Sequence, residues 1–370
     1  MVGEREFDFI VVGAGIAGAS VGAFLAPHGR VALLERESQP GYHTTGRSAA
    51  MFMESYGPPQ VRALTRASRR WFEAMPGVLA PRGALYIGRA EQREAIDALH
   101  DELTRDGAAV QRLSSGEALQ HVPLLRPEAA AHALLDGGAS DIDVHAVHQQ
   151  FLRLLREQGS ALRSDAPVTA IERDGGAWRA TFANGPDARA PVVVDAAGAW
   201  VDEVAALAGV RAIGIEPRRR SAFTFAPPSG TDVRTWPCVA GVEEDFYFKP
   251  DAGVLLGSPA NADPVAPHDV VAEELDIAIG IARIQEATLM TIRRPLRTWA
   301  GLRSFVRDGA LVGGFDDAAP GFFWCCGQGG YGIQTAPAMG AACAARILGQ
   351  ALPPYIADEG LKFDDLRCRR

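Results

Sequence analysis

The chain has 370 residues, 47% of them hydrophobic, enough to bury a large core and to build two domains. A formal charge of −8, with no basic tract longer than the three arginines at 218–220, argues against a nucleic-acid partner. Five cysteines without a CxxC spacing and eight scattered histidines offer neither a disulfide framework nor a metal site, and they suit a reducing, cytoplasmic setting. His145 and His148, three apart, read as surface or half-buried residues.

The first element is the most informative. Residues 7–18 read F-D-F-I-V-V-G-A-G-I-A-G, a β-run leading directly into Gly13, Gly15 and Gly18, and Glu35 closes the next apolar run, Val31–Leu34. Strand, glycine turn, helix and an acid about twenty residues on form the dinucleotide-binding fingerprint. Gly13 permits the tight turn, Gly15 lets the backbone approach a pyrophosphate, and Gly18 lets helix and strand pack closely. The helix N-terminus presents bare N–H groups and a partial positive charge to the phosphates. A carboxylate at Glu35 suits the hydroxyls of an adenosine ribose. Asp8, the glycines and the mixed charges at 4–6 argue against a targeting or transmembrane segment.

A Gly/Ser/Thr-rich loop follows (36–50), then a helix at 59–73 and a strand within 81–90. Helices are expected at 91–105 and 113–122, strand and turn at 128–143, and a helix at 144–158. The segment 167–173 starts a hairpin, and P-V-V-V-D-A-A-G-A-W (191–200) is a buried strand belonging to the first sheet. From 213 to about 302 the pattern alternates as strands do, interrupted by a helix at 275–288. The C-terminal part returns to the first domain through G-A-L-V-G-G, G-F-F-W-C-C and a helix at 333–348. The expected fold is α/β (α+β overall): a discontinuous Rossmann-like nucleotide domain (1–80, 144–212 and 300–370) carrying an inserted antiparallel-sheet substrate domain (81–143 and 213–299).

Gly327, Gly329, Gly330 and Gly332 crowd the turn before the last helix. One strand–helix turn needs fewer glycines. Close approach of backbone to a planar cofactor, with a helix N-terminus aimed at the electron-rich edge of a reduced flavin, accounts for them. The dinucleotide then spans both ends of the chain, which selects FAD over NAD.

The motifs G-A-G-I-A-G-A-S, E-R-E-S-Q-P-G-Y-H-T-T-G-R-S-A-A, V-V-D-A-A-G-A-W and G-Q-G-G-Y-G-I-Q-T resemble those of the D-amino-acid oxidase (DAO) superfamily of FAD proteins. Within it, Y-G-P-P-Q-V-R-A-L-T, L-L-G-S-P-A-N-A-D-P and T-W-A-G-L-R-S-F-V are similar to the bacterial FAD-dependent D-arginine dehydrogenases, a resemblance that runs to about residue 348. It implies hydride transfer from an amino acid Cα to flavin N5, giving an imino acid that water hydrolyses to a 2-oxo acid. Carboxylate-holding arginines fall on Arg220 and Arg303, tyrosines on Tyr56 and Tyr247, and a backbone carbonyl for the amine on Gly330. Cofactor contacts fall on Gly13, Ala14, Gly15, Ala17, Gly18, Glu35, Arg36, Thr45, Arg47, Ser48, Ala49, Val168, Gly198, Arg303, Gly330, Tyr331, Gly332, Ile333 and Gln334. The implied electron acceptor is a quinone, another carrier or O₂.

The chain departs from the arginine dehydrogenases at two positions. Ala84 stands where they carry a Glu that pairs with the substrate guanidinium, and Met51 where they carry a His. A cationic side chain would then go unpaired at a cost of several kcal/mol. Met51, Phe52, Ala84, Cys238 and Ala240 instead make a softer, more apolar substrate pocket, shifted toward neutral side chains. Glu54 either replaces the missing carboxylate or faces solvent. Sarcosine-oxidase relatives tether flavin through cysteine, but that tether aligns near Gly301 and not with Cys325 and Cys326, so FAD is expected to bind noncovalently. A secondary-amine or N-methyl amino acid oxidase of the sarcosine or glycine oxidase kind is the main alternative, and a flavoprotein without turnover is another.

Overall fold

In a computed structural model, residues 5–369 are described; the outermost residues of the expected nucleotide domain, 1–4 and 370, lie outside that range. The glycine fingerprint forms the centre of a six-stranded sheet ordered Ala161–Arg163, Val31–Leu34, Phe9–Val12, Val192–Asp195, Phe322–Cys326 and Val312–Phe315. All neighbours are parallel except the last pair. Strands Phe9–Val12, Val31–Leu34 and Phe322–Cys326 are apolar throughout because both faces are covered. Val11, Leu33, Val194 and Phe323 pack beneath the helices Ile16–Leu25, Pro59–Glu73, Val144–Glu157 and Gly332–Ile347. Ile10, Leu34, Val193 and Phe322 meet a second layer built from the hairpin Val168–Asp174 and Ala177–Phe182 with the helix Val201–Leu207. The side-chain period of two sorts them.

The second sheet has nine strands, from Asp263–Pro264 and the long strand Glu216–Phe225 through Val254–Ser258, Tyr247–Asp251 and Cys238–Gly241 to Ala84–Gly88, His132–Asp136 and Val110–Ser114, with Arg297–Phe305 on Glu216–Phe225. It is antiparallel except where Cys238–Gly241 meets Ala84–Gly88, the join between the two separate stretches of chain that build it. The expected boundary at 299–300 cuts through Arg297–Phe305, which runs along Glu216–Phe225 for nine paired residues. A small sheet of Met51–Phe52, Ser140–Ile142 and Leu79–Pro81 lies between the two large ones in sequence.

The expected helix at 113–122 begins later. Val110–Ser114 is a strand, and Ser114 caps the helix Ser115–His121: the Glu117 N–H donates to Ser114 Oγ, and the Ser114 N–H to Glu117 Oε2 at 2.7 Å. The S-x-x-E capping box therefore outranks the apolar residues ahead of it. The expected helix at 91–105 opens with one 3₁₀ turn, Ala90–Gln92, before Arg93–Arg105. No helix among the described residues is long and apolar enough to cross a membrane.

Candidate active site

Two adjoining cavities sit where the sheets meet. The larger follows the glycine turn, the loop at 41–49 and the far strand–helix turn; the smaller opens from it into the second sheet. Ser48, Ala49, Arg220, Tyr247, Arg303, Gly330 and Ile333 line both.

The floor of the larger cavity is set by close packing at the fingerprint. Gly13 has φ +97°, and a Cβ there would lie 2.6 Å from the Ala196 carbonyl oxygen. A Cβ on Gly18 would lie 1.8 Å from the Gly13 carbonyl oxygen. Glu35 is held in the cavity wall by the Ala14 N–H at 2.9 Å on one carboxylate oxygen and the Glu37 N–H at 3.0 Å on the other. Burial raises its pKa, an effect partly offset by those two hydrogen bonds.

His148 is buried, with Nε2 2.9 Å from the Ala14 carbonyl oxygen. A carbonyl only accepts, so Nε2 carries the proton and donates it, and burial lowers the pKa. His148 is thus a brace for the glycine turn, unlike the surface or half-buried residue expected. The only signal for this in the sequence was its place on the inner face of an amphipathic helix.

The loop after Glu35 is strapped to the start of helix Ile16–Leu25 and to strand Arg297–Phe305 of the second sheet. Thr45 Oγ1 accepts the Ile16 N–H, Thr44 Oγ1 donates to the Leu302 carbonyl at 2.7 Å, and the Trp299 indole donates to the Arg47 carbonyl at 3.0 Å. Arg47 donates to the carbonyls of Val270 and Ala300 and pairs with Asp269.

Of the expected cofactor contacts, Gly13, Gly15, Ala17, Glu35, Arg36, Thr45, Arg47, Ser48, Ala49, Val168, Gly198, Arg303, Gly330, Gly332 and Ile333 line the larger cavity. Ala14 and Gly18 lie beneath it. Tyr331 packs edge-on against Tyr56, ring centroids 5.2 Å apart, and lines neither cavity. Gln334 lines the smaller one, accepting the Met53 N–H at 3.2 Å.

The run of three arginines is sorted by the strand period. Arg219 turns away from the cavities into a buried ion-pair cluster with Asp276, Glu273 and Asp263. Arg218 and Arg220 share the opposite face with Arg303, which is directly across from Arg218 in the ladder. Arg220 and Arg303 face the cavities, with Tyr56 and Tyr247 beside them. Burial, then the neighbouring charge of Arg303, pushes Arg220 down to about 10, so it stays cationic at neutral pH. Two adjacent guanidiniums with a buried Nε on Arg220 that has no protein partner make a site for an anion.

Gly330 completes it: a Cβ there would lie 2.8 Å from the Arg303 guanidinium. Gly330→Ala is expected to displace that guanidinium and raise KM for a carboxylate substrate by roughly 10-fold, the loss of about one charge-assisted hydrogen bond, while flavin absorbance is retained. Steady-state kinetics of the purified flavoprotein check it.

Of the residues expected in the substrate pocket, Met51, Ala84, Cys238 and Ala240 line the smaller cavity. Phe52 is a correction: it is fully buried in the core of the first domain against Phe72, because adjacent strand residues face opposite ways. Glu54 does not reach the cavity; its carboxylate pairs with Arg69 at 2.7 Å. The sequence reading missed Met53, Tyr86, Glu244 and Lys249, which also line the cavity. Lys249 was legible, two residues beyond Tyr247 on one strand and so on the same face. Cys238 is buried and its thiol pushed up to about 12, so it acts as a small apolar wall.

The groups present fit FAD: the glycine cradles at both ends of the larger cavity, the Glu35 carboxylate as an acceptor for hydroxyls, and the buried Gln334 Nε2 donor, which has no protein partner. The FAD-dependent oxidoreductase family, DAO, matches residues 8–346. This chain belongs to that family. The DAO protein is 26% identical to glycine oxidase of Bacillus licheniformis over 371 residues, covering 94% of each chain. It is 32% identical over 279 residues to the tRNA 5-methylaminomethyl-2-thiouridine biosynthesis bifunctional protein MnmC of Burkholderia vietnamiensis, covering 70% of this chain but 41% of that protein. The crystal structure of glycine oxidase from Geobacillus kaustophilus superposes with a TM-score of 0.84 at 21% identity, covering 99% of both chains. The protein is an FAD-dependent oxidoreductase with the mixed α/β fold of this family.

Proposed function

We propose that the enzyme oxidises D-amino acids with neutral or apolar side chains to imino acids, which water hydrolyses to 2-oxo acids and ammonia. The observation that carries this reading is the pairing of Arg220 and Arg303 at the junction of the two cavities, with side-chain space continuing beyond them past Ala84, Cys238 and Ala240. Bound FAD supplies an acceptor for the hydride on the substrate Cα. The arginines would hold the carboxylate, bidentately on the planar guanidinium of Arg303, and so fix which Cα–H faces the larger cavity. The Gly330 carbonyl would accept a hydrogen bond from the amine. Tyr56 and Tyr247 would add hydroxyl contacts and screen the junction from water. No side chain is assigned as base: a neutral amine needs none, and ordered water suffices for an ammonium.

FAD is proposed to bind noncovalently, since no cysteine lines the larger cavity and Cys325 and Cys326 are in the core. The kinship with D-arginine dehydrogenases is carried into this reading without their substrate, because the small apolar Ala84 holds the position of their carboxylate. Electrons are proposed to leave to a quinone, another carrier or O₂.

A second reading, oxidation of N-alkyl glycines or glycine, is favoured by the similarity to glycine oxidase and uses the same carboxylate clamp. Anaerobic reduction of the flavin by D-amino acids, L-amino acids, glycine and N-methyl glycines separates the two. Rapid bleaching by neutral D-amino acids supports the proposal. Bleaching by glycine or N-alkyl glycines alone replaces it with the second reading, and no bleaching removes both.

A further inference from the structure

The smaller cavity contains an ammonium group that an apolar pocket does not require. Lys249 lines it, its side chain only 7% exposed, and Nζ donates to Asp141 Oδ1 at 2.6 Å. Asp141 is shared: Arg82 Nε donates to its other carboxylate oxygen at 2.7 Å, and Arg82 also donates to the carbonyls of Arg234 and Trp236. One carboxylate therefore serves two cations, buried Lys249 and half-buried Arg82.

The sheet registers place Lys249 relative to the pocket. Val239 pairs with Phe248 and Ala240 with Tyr247, which sets Lys249 opposite Cys238; Cys238 in turn pairs with Ala84. Lys249, Cys238 and Ala84 thus form one row across the pocket wall, and Tyr247, Ala240 and Tyr86 the next. Lys249 and Tyr247, two apart on one strand, face the same way. The Tyr247 row adjoins the arginine pair and the Lys249 row lies farther on, reached past small side chains.

The Lys249 ammonium has only a share of one carboxylate and borders the cavity that continues from the arginine pair, so an anionic group at the end of a substrate side chain finds a second cationic partner there.

We propose that Lys249 is a specificity-determining residue that recognises a second carboxylate at the end of an apolar stem, which extends the substrates beyond the neutral and apolar side chains proposed above to D-amino dicarboxylic acids, bound more tightly than their hydrocarbon isosteres. This rests on the reading of the site as an amino acid pocket. Burial strengthens the contact, because an ammonium out of water gains more from an anionic partner than an exposed one does.

The test is anaerobic flavin reduction of the holoenzyme by isosteric pairs of D-amino acids: D-glutamate against D-2-amino-5-methylhexanoate, and D-aspartate against D-leucine. At least one acid is expected to show an apparent Kd about 10- to 100-fold lower than its hydrocarbon isostere, the value of one hydrogen bond to a charged group. Lys249→Met is expected to abolish that preference, bringing the ratio of apparent Kd between each acid and its hydrocarbon isostere to about one whatever happens to the absolute values. A merely structural lysine would alter both members of a pair alike, and that result overturns the proposal. The wild-type ranking needs no variant: if both hydrocarbon isosteres bind tighter than the acids, the inference is wrong while the D-amino acid reading stands. If no D-amino acid bleaches the flavin, both fall together.

Discussion

Replacing Arg303 with methionine is expected to lower kcat/KM for an amino acid by on the order of 10³-fold while leaving the flavin bound. The methionine stem keeps the packing volume of the arginine and removes the planar guanidinium. Two charge-assisted hydrogen bonds to a carboxylate out of water are together worth about 4 kcal/mol. Arg303 is placed by its strand, Arg297–Phe305, with its guanidinium against the Gly330 backbone. Arg220 remains beside it and retains part of the clamp. The loss should appear mainly in KM if the carboxylate only binds, and in kcat as well if its hold also aligns Cα. An amine substrate without a carboxylate should be indifferent to the change. Unaltered kinetics with an amino acid would remove Arg303 from the site.

Gly18→Val is expected to yield a protein without flavin and with much reduced stability. The new Cβ would lie 1.8 Å from the Gly13 carbonyl oxygen, a contact that only movement of the backbone relieves. Helix Ile16–Leu25 would lift from strand Phe9–Val12, and with it the Ala14 N–H that holds Glu35 and the carbonyl that accepts from His148. The flavin-to-protein absorbance ratio and a thermal melt of the purified variant measure both effects. A normal ratio would show that the turn is softer than its packing implies.

How far the sequence carried depends on which kind of signal was available. The glycine fingerprint, the buried run at Val192–Asp195 and the distal glycines were legible because backbone geometry forces those residue types. The helix Pro59–Glu73 was legible from its apolar period and proline start. The run at 218–220 was ambiguous as composition but not as a strand, where alternation sends Arg219 to one face and Arg220 to the other. The same rule, applied to Met51 and Phe52, would have kept Phe52 out of the pocket. The parallel join between Cys238–Gly241 and Ala84–Gly88 was not legible, since pairing between segments so far apart leaves no local pattern. Nor was the network of Lys249, Asp141 and Arg82, three residues from three separate strands or turns that only the folded sheet brings together.

The order of the first sheet bears on how the protein is made. Strand Val192–Asp195 lies between Phe9–Val12 and Phe322–Cys326, so the central layer is complete only when residues from both ends of the chain are present. During synthesis the nascent chain must hold an unfinished parallel sheet, one edge open, until Phe322–Cys326 has emerged, more than a hundred residues after Val192–Asp195. Such long-range pairing folds slowly and exposes apolar strands meanwhile. Flavin loading is accordingly a late event, and a truncation before Phe322 should leave a product that chaperones retain and proteases clear.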